Sequence, residues 1–321
     1  MKTNRLRLTH NPLTVLAALA GFGLGALLFA LHTSADTPGA EPVSPLIRAA
    51  EIAAVAQTRM PALRSSAALV MDAREGVTLY ARDIDRPRPI ASLTKLMTAM
   101  VVLDADLPFA EAITITEADR DRLRGTKSRL PFNTTFTRHD LLHAALTASE
   151  NRAAAALARS YPGGTAAMIA AMNAKAVALG MTQTHFRDAS GLDSGNISTA
   201  RDLARLVRAA SRYPLIAAFT TSEEFHINDL NSGRAVEFLN TNRLVRNESW
   251  RIGLSKTGYT HDAGNCLVME VTIAERPVIV VLLNSWGKLS KYGDSTRIRD
   301  WLLAIERRLR ARNNGLIVTQ S

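Results

Sequence analysis

Strand-like segments sit at both ends of this chain with a long helical stretch between them, and that arrangement restricts the fold more than any other feature. On the N-terminal side, 67–72 and 77–81 are short apolar runs separated by Ala73-Arg74-Glu75-Gly76, the pattern of a β-hairpin. Towards the other end, 266–274 and 278–284 flank Glu275-Arg276-Pro277 and read as a second hairpin. Between them, apolar residues at Leu93, Leu96, Met97, Met100 and Val101 predict a buried helix over 92–103. Further helices are expected at 138–148, 152–160, 165–179 and 199–211, interrupted by Pro162-Gly163-Gly164 and Gly180. Two-stranded hairpins cannot bury their apolar faces alone. Pairing them with each other gives an α/β (α+β) domain, an antiparallel sheet built from both ends with an inserted helical region. Ile298, Trp301, Leu302, Ile305 and Leu309 repeat at helical spacing opposite arginine and glutamate, a stripe expected to pack on the sheet rather than on a membrane.

The flanking segments read differently. Lys2, Arg5 and Arg7 precede an apolar run over 13–31, punctuated by Gly21, Gly23 and Gly25 and followed by the small residues Thr33-Ser34-Ala35. Residues 1–35 are expected to be an export signal cleaved after Ala35, or an N-terminal anchor if uncleaved, since the run approaches the ~20 residues that span a bilayer. Either outcome places the remainder outside the cytoplasm, in the periplasm, touching the inner membrane only through that segment. Residues 36–45 form a polar, proline-rich linker, 46–312 a single domain, and 313–321 a tail.

The formal net charge is +10 and falls by three, to +7, without residues 1–35, which carry no acid. A basic surface can meet nucleic acid, anionic lipid or an anionic polymer. Export removes nucleic acid from that list and leaves lipid headgroups and carboxylate-bearing wall peptides; scattered solvated arginine is an equal reading. Cys266 is the only cysteine, so the chain holds no internal disulfide, and its apolar neighbours make it a buried, inert thiol. There is no H-E-x-x-H string or paired cysteine cluster, and the 7 histidines are scattered, so no metal or cofactor is expected.

Within that frame three short strings lie far apart and in order: Ser92-Leu93-Thr94-Lys95, Ser149-Glu150-Asn151 and Lys256-Thr257-Gly258. Singly, each has a bland reading, with Ser92 and Ser149 as helix caps and Lys256 as a surface strand lysine. Jointly they supply the parts of a serine acyl-transfer site with a lysine base. A serine hydroxyl is a poor nucleophile until a base removes its proton. Lys95, three residues along a helix, shares a face with Ser92. An ordinary lysine, with a pKa near ~10.4, stays protonated, so Lys95 must be desolvated or repelled by a second cation, for which Lys256 is the candidate. Lys256 then has a second task, holding a carboxylate on the substrate. Ser149, expected in a loop between two helices, can pass a proton to the leaving amine. Asn151, both donor and acceptor, can position Lys95 and a substrate amide. Thr257 offers a hydroxyl to a substrate carboxylate, and Gly258 lets a substrate backbone approach the strand edge. The backbone N–H groups of Ser92 and Tyr259 are the expected oxyanion donors, each worth about 3 kcal/mol of barrier.

Longer stretches carry a family likeness: Ala91-Ser92-Leu93-Thr94-Lys95-Leu96-Met97-Thr98-Ala99-Met100, Ser149-Glu150-Asn151-Arg152-Ala153-Ala154, Asp188-Ala189-Ser190-Gly191-Leu192 and Ser255-Lys256-Thr257-Gly258-Tyr259. The chain resembles, from Ser66 to Ser285, the low-molecular-weight penicillin-binding proteins of the D-alanyl-D-alanine endopeptidase type. The resemblance implies a β-lactamase/transpeptidase-like fold with Ser92 as acyl-enzyme nucleophile, Lys95 as proton acceptor, Ser149 as proton relay and Lys256 as a substrate-binding residue. It also implies hydrolysis of D-alanyl cross-links in peptidoglycan peptides through a covalent intermediate that β-lactams trap. The preference for D-residues follows from the resemblance alone. The carboxypeptidase branch shares this site and usually adds a β-rich C-terminal domain, for which the about 36 residues after Ser285 are too few. Glu150 also resembles the endopeptidase branch. Cross-link cleavage is therefore expected first and trimming of terminal D-alanine second.

A class A β-lactamase would need a further base, a glutamate in an E-x-x-x-N string. Glu224 and Asn228 match that spacing, but Glu224-Phe225-His226-Ile227 alternates like a strand and falls far after Ser149. An inactive wall-binding scaffold, the last alternative, has no use for two lysines in one cleft, where they cost stability.

Overall fold

The computed structural model describes residues 47–57 and 60–318, with side chains as far as residue 313. The export signal or anchor expected over 1–35 and the linker over 36–45 lie outside the described residues.

After helix α1 (Ala49–Ala56), strands β1 (Ser65–Asp72) and β2 (Thr78–Arg82) make the first hairpin. Asp72 shapes its turn, accepting from the backbone N–H groups of Arg74 (2.8 Å) and Glu75 (2.7 Å), while Gly76 takes a φ of +70°. The short strand β3 (Arg88–Pro89) leads into a 3-10 turn at Ala91–Thr94 and then helix α2 (Lys95–Asp104). Strands β4 (Ala112–Thr114) and β5 (Thr135–Thr137) pair with each other and precede α3 (Arg138–Thr147), α4 (Asn151–Arg159) and α5 (Gly164–Ala178). Strand β6 (Ile197–Ser198) pairs with β3 and is followed by α6 (Ala200–Ala210) and α7 (Pro214–Thr221). A hairpin of β7 (Glu224–Asn228) and β8 (Ala235–Leu239) comes next. The chain closes with β9 (Arg251–Thr260), β10 (Gly264–Ile273), β11 (Arg276–Ser285) and α8 (Ser290–Val318).

The main sheet has the order β2-β1-β11-β10-β9 and is antiparallel throughout. Strand β1 pairs with β11 from Ser65 opposite Ser285 to Asp72 opposite Val278, so the two ends of the domain meet at the centre of the sheet as expected. Strand β9 is left as an edge.

The two-residue alternation of a strand divides the apolar side chains between two cores. Ala67, Leu69, Val268, Ile279, Val281 and Leu283 join the helical region, while Ala68, Val70, Leu267, Met269, Val280 and Leu282 join α1 and α8. Ile298, Trp301, Leu302, Ile305 and Leu309 of α8 belong to the second core, so the stripe does face the sheet. Burying each such leucine or isoleucine contributes about 2 kcal/mol. Helix α8 continues to Val318, across the boundary expected after 312.

Two local expectations are corrected. The second hairpin turns at Ala274 and Glu275, with φ of +50° and +63°, and not at Glu275-Arg276-Pro277. Two consecutive left-handed residues match the right-handed twist of the flanking strands. Arg276 is drawn into β11 because its guanidinium is paired below the sheet with Asp72 and Glu306. The helix predicted over 92–103 begins instead as a 3-10 turn, and regular α-helix starts only at Lys95. Its cause is the backbone of Ala91, the residue before Ser92.

Candidate active site

Ala91 adopts a φ of +48°, a left-handed conformation that costs a residue with a Cβ about 1–3 kcal/mol and persists only where the surroundings enforce it. Three elements enforce it. From within the turn, Thr94 Oγ1 donates to Ala91 O at 2.8 Å. From one side comes the loop over 187–196. Asn196, fully buried, donates from Nδ2 to Thr94 Oγ1 (3.0 Å) and accepts from Ile90 N through its backbone carbonyl (3.1 Å). Gly191 in the same loop, at φ +86°, packs so closely that a Cβ there would fall 2.0 Å from Ala91 O. From the other side, a Cβ on Gly258 of β9 would sit 2.9 Å from Ile90 O and 3.2 Å from Ser92 N. The requirement for glycine at 258 is thus set by the Ile90–Ser92 backbone itself, ahead of any substrate. The kink opens the 3-10 turn with Ser92 half-buried, and no side-chain cap ties the Ser92 hydroxyl to the α2 backbone.

Lys95 is 1% exposed, and its Nζ has three neighbours: Ser92 Oγ at 2.9 Å, Asn151 Oδ1 at 2.7 Å and Ser190 O at 2.7 Å. Burial lowers its pKa to about 8, against the opposing pull of the Asp188 and Glu150 carboxylates. Lys256 is equally buried and its pKa is lowered well below the ordinary value, first by burial, then by repulsion from Lys95 and from Lys291. The repulsion between the two lysines thus acts on Lys256, whereas the lowering of Lys95, expected from Lys256 or from desolvation, comes from desolvation. Neither lysine has a salt-bridge partner among the described residues.

Ser149 lies between α3 and α4 with a φ of +61°. The cap of α4 is the next residue, Glu150, whose carboxylate accepts from Arg152 N at 3.2 Å, so the Ser149 hydroxyl is not spent on capping. It makes no hydrogen bond to the described residues, and the structure does not join it to either lysine. Asn151, in the first turn of α4, is joined: besides accepting from Lys95 it donates from Nδ2 to Thr126 Oγ1 at 3.0 Å. A cavity of about 210 Å³ opens beside it, lined by Asp121, Leu123, Ser190 and Leu192.

On the edge strand, Thr257 Oγ1 donates to Thr241 Oγ1 at 2.7 Å, and Lys256 Nζ reaches only Thr257 O, at 3.4 Å. Tyr259 is 64% exposed, and it is its neighbour Gly258 that packs against the Ser92 backbone. Cys266, opposite Gly258 on β10, is buried, and burial pushes its thiol up to about 11. Glu224 lies on β7 with its side chain in solvent, away from any role as a further base.

Sequence reasoning about roles missed Ser190, Asp188, Asn196 and Thr98. Asp188 folds the loop by accepting from Ser190 N (2.8 Å) and Asp193 N (2.7 Å), which aims Ser190 O at Lys95. Thr98 Oγ1 donates to Ala189 O at 2.6 Å and holds the loop to α2. The signal was the Asp-x-x-Gly spacing of a tight turn, which by itself does not say what the turn touches. Among the described residues no group of three or more His, Cys, Asp or Glu is placed to hold a metal.

With this geometry in place, comparison with known proteins is specific. Residues 54–287 match the Peptidase_S11 family, described as D-alanyl-D-alanine carboxypeptidase. A D-alanyl-D-alanine endopeptidase from Pseudomonas aeruginosa is 48% identical over 240 residues, covering 75% of this chain and 77% of the relative. A D-alanyl-D-alanine endopeptidase from Escherichia coli is 44% identical over 253 residues, covering 79% and 82%. The crystal structure of the Streptomyces K15 DD-transpeptidase superposes with a TM-score of 0.71 at 28% identity, covering 77% of this chain and 99% of that one.

Proposed function

We propose, for a chain that belongs to the Peptidase_S11 family of D-alanyl-D-alanine peptidases, that Ser92 is the acylated nucleophile and neutral Lys95 its base. The observation that carries this reading is the set of three neighbours of Lys95 Nζ. A neutral amine has two N–H groups and one lone pair. Asn151 Oδ1 and Ser190 O can only accept, so they take both N–H groups and the lone pair is left for the Ser92 hydroxyl at 2.9 Å. Lys95 removes the Ser92 proton as Oγ attacks the D-alanyl carbonyl, and the backbone N–H groups of Ser92 and Tyr259 receive the developing oxyanion. The Ser149 hydroxyl relays the proton to the leaving amine. Water then attacks the acyl-enzyme with Lys95 again as base, releasing the shortened peptide.

Lys256 holds the carboxylate of the leaving residue together with the Thr257 hydroxyl, which turns its proton from Thr241 to the substrate, and the edge of β9 pairs with the peptide backbone as an added strand. The substrate is a peptidoglycan peptide, and the bond cut is a cross-link in which the leaving amine belongs to a neighbouring stem peptide. The endopeptidase names of the two relatives at 48% and 44% identity support this over carboxy-terminal trimming. β-Lactams acylate Ser92 and remain attached. The domain works outside the cytoplasm, a placement supported by the basic, apolar and small-residue pattern of residues 1–35.

Replacing Ser92 by alanine tests the assignment. Covalent labelling by a fluorescent penicillin and loss of purified cross-linked muropeptide dimers should both vanish. Dimer cleavage surviving in Ser92→Ala refutes the nucleophile, and release of free D-alanine without dimer loss in the parent protein refutes the endopeptidase reading.

A further inference from the structure

The Asn151 amide can face Lys95 in two ways, and only one leaves the lysine lone pair for Ser92. With Oδ1 toward Nζ, the amide takes up an N–H of the amine; with the amide turned over, its NH2 would donate to the lone pair and occupy it. Something must choose between these orientations, and the choice is made one layer further out. Asn151 Nδ2 lies 3.0 Å from Thr126 Oγ1, and Thr126 Oγ1 lies 2.7 Å from Asp121 Oδ2. A hydroxyl has one proton. Asp121 is an ionised carboxylate that already accepts from the backbone N–H groups of Leu123, Arg124 and Thr126, each at 2.9 Å. Burial acts to raise its pKa, and these donors outweigh that and hold it low. It can only accept, so the Thr126 proton points to Asp121 and the hydroxyl turns lone pairs toward Asn151.

We propose that Thr126, polarised by Asp121, is a positioning residue that fixes the Asn151 amide and through it aims the lone pair of Lys95 at Ser92. The direction of donation runs unbroken from the lysine to the carboxylate: Lys95 to Asn151, Asn151 to Thr126, Thr126 to Asp121. The loop that carries Thr126 is tied across the cleft by Arg124, whose Nε donates to Leu192 O at 2.6 Å and whose guanidinium pairs with Asp262 in the β9–β10 turn. Thr126 is thereby referenced to the Asp188–Asn196 loop, the same loop that supplies Ser190 O to Lys95. This assignment rests on the reading of Ser92 and Lys95 given above.

Thr126→Val keeps the shape and removes the hydroxyl. Expected is a loss of about tenfold to a hundredfold in the rate of penicillin acylation at saturation, with little change in the concentration for half-saturation. The acid limb of the pH–rate profile should move to lower pH, because an Asn151 carbonyl that no longer faces Nζ stops stabilising the ammonium form. Asp188, Glu150 and Lys256, the other charged groups facing Lys95, are unchanged in that variant, so the movement reports the amide. Thr126→Ser restores the hydroxyl and should bring rate and limb back to within about threefold of the parent. Asp121→Asn can donate to Thr126 as well as accept, releasing the polarity, and should fall between parent and Thr126→Val. A loss of fold alone scales the rate and leaves the limb in place.

Parental rate and limb in Thr126→Val overturn the proposal, as does Thr126→Ser behaving like Thr126→Val. Should Thr126→Val not fold, Asp121→Asn decides by the same two readouts. Penicillin labelling that persists in Ser92→Ala overturns the underlying catalytic reading, whereas lost labelling there with parental kinetics in Thr126→Val overturns Thr126 alone.

Discussion

The sheet carries a buried cluster of charge on each face, and the two are built on opposite plans. On the α8 face, Arg276 is 8% exposed and is met by the carboxylates of Asp72 and Glu306 and by the carbonyl of Ile47, so that burial, which works against its charge, is outweighed and its pKa is raised. On the helical face, Lys95 and Lys256 are each 1% exposed, and what surrounds Lys95 Nζ directly is a hydroxyl and two uncharged carbonyl-type oxygens. Burial has the same sign of effect in both places; the partners decide the outcome. Where carboxylates answer the cation it stays charged and acts as a joint, tying the first hairpin, the β10–β11 turn and α8 together. Where a hydroxyl and neutral carbonyl-type oxygens are its direct partners, burial prevails over the pull of the Asp188 and Glu150 carboxylates and the pKa of the amine falls to about 8, as the proposed role of base requires.

The comparison can be broken most severely at Lys95. Lys95→Met should lower penicillin acylation by about a thousandfold or more while changing the melting temperature little, since an apolar chain of similar volume removes the desolvation cost of a buried amine but leaves Asn151 Oδ1 and Ser190 O without their donor. Acylation near the parental rate would show that the lysine is not the base. The converse change, Arg276→Met, should destabilise by about 3–5 kcal/mol in chemical denaturation, because two buried carboxylates lose their partner. Activity per folded molecule should be kept, and a loss of activity out of proportion to folding would join the two clusters functionally.

The smallest effect sharpens the contrast without a mutation. With neutral Lys95 as the proposed base and its pKa about 8, the acylation rate should climb about tenfold per pH unit below that value and level off above it. The same group has a stability signature. Its pKa is lower folded than unfolded, so the unfolded chain binds the extra proton between about 8 and 10.5, and the Lys95 contribution should make stability rise with pH across that window. A flat acylation profile from pH 6 to 9 would mean that the proton leaves by another route.

Much of this was legible in the linear chain. The short apolar runs near both ends implied the central pairing of β1 with β11, because two-stranded hairpins cannot bury their apolar faces alone. The helices expected over 138–148, 152–160, 165–179 and 199–211 fell within a residue of expectation, whereas regular helix in α2 starts three residues later than expected. Helices α1 and α7, eight residues each, were not anticipated: at that length an alanine-rich segment carries too little periodicity to separate from its neighbours. Ser92, Lys95, Asn151 and Gly258 were found by string and are brought together around the Ser92 turn. The positive φ at Ala91 could not be read, since alanine gives no sign of a left-handed backbone that its surroundings impose. Thr126 and Asp121 were invisible for a related reason: they act through a hydrogen-bond direction, and direction is a property of the assembled cluster.

The pinch on the Ser92 turn also fixes when the protein becomes dangerous to its surroundings. One jaw, Gly191, is encoded about a hundred residues downstream of the serine, and the other, Gly258, belongs to a strand that joins β1 in the sheet through β10 and β11. A nascent chain with Ser92 and Lys95 already synthesised has neither jaw to impose the bend nor the dry pocket that neutralises the amine. On the proposed roles of Ser92 and Lys95, the hydrolase is born latent and switches on at closure of the sheet, so that completion of folding serves as its own safety catch.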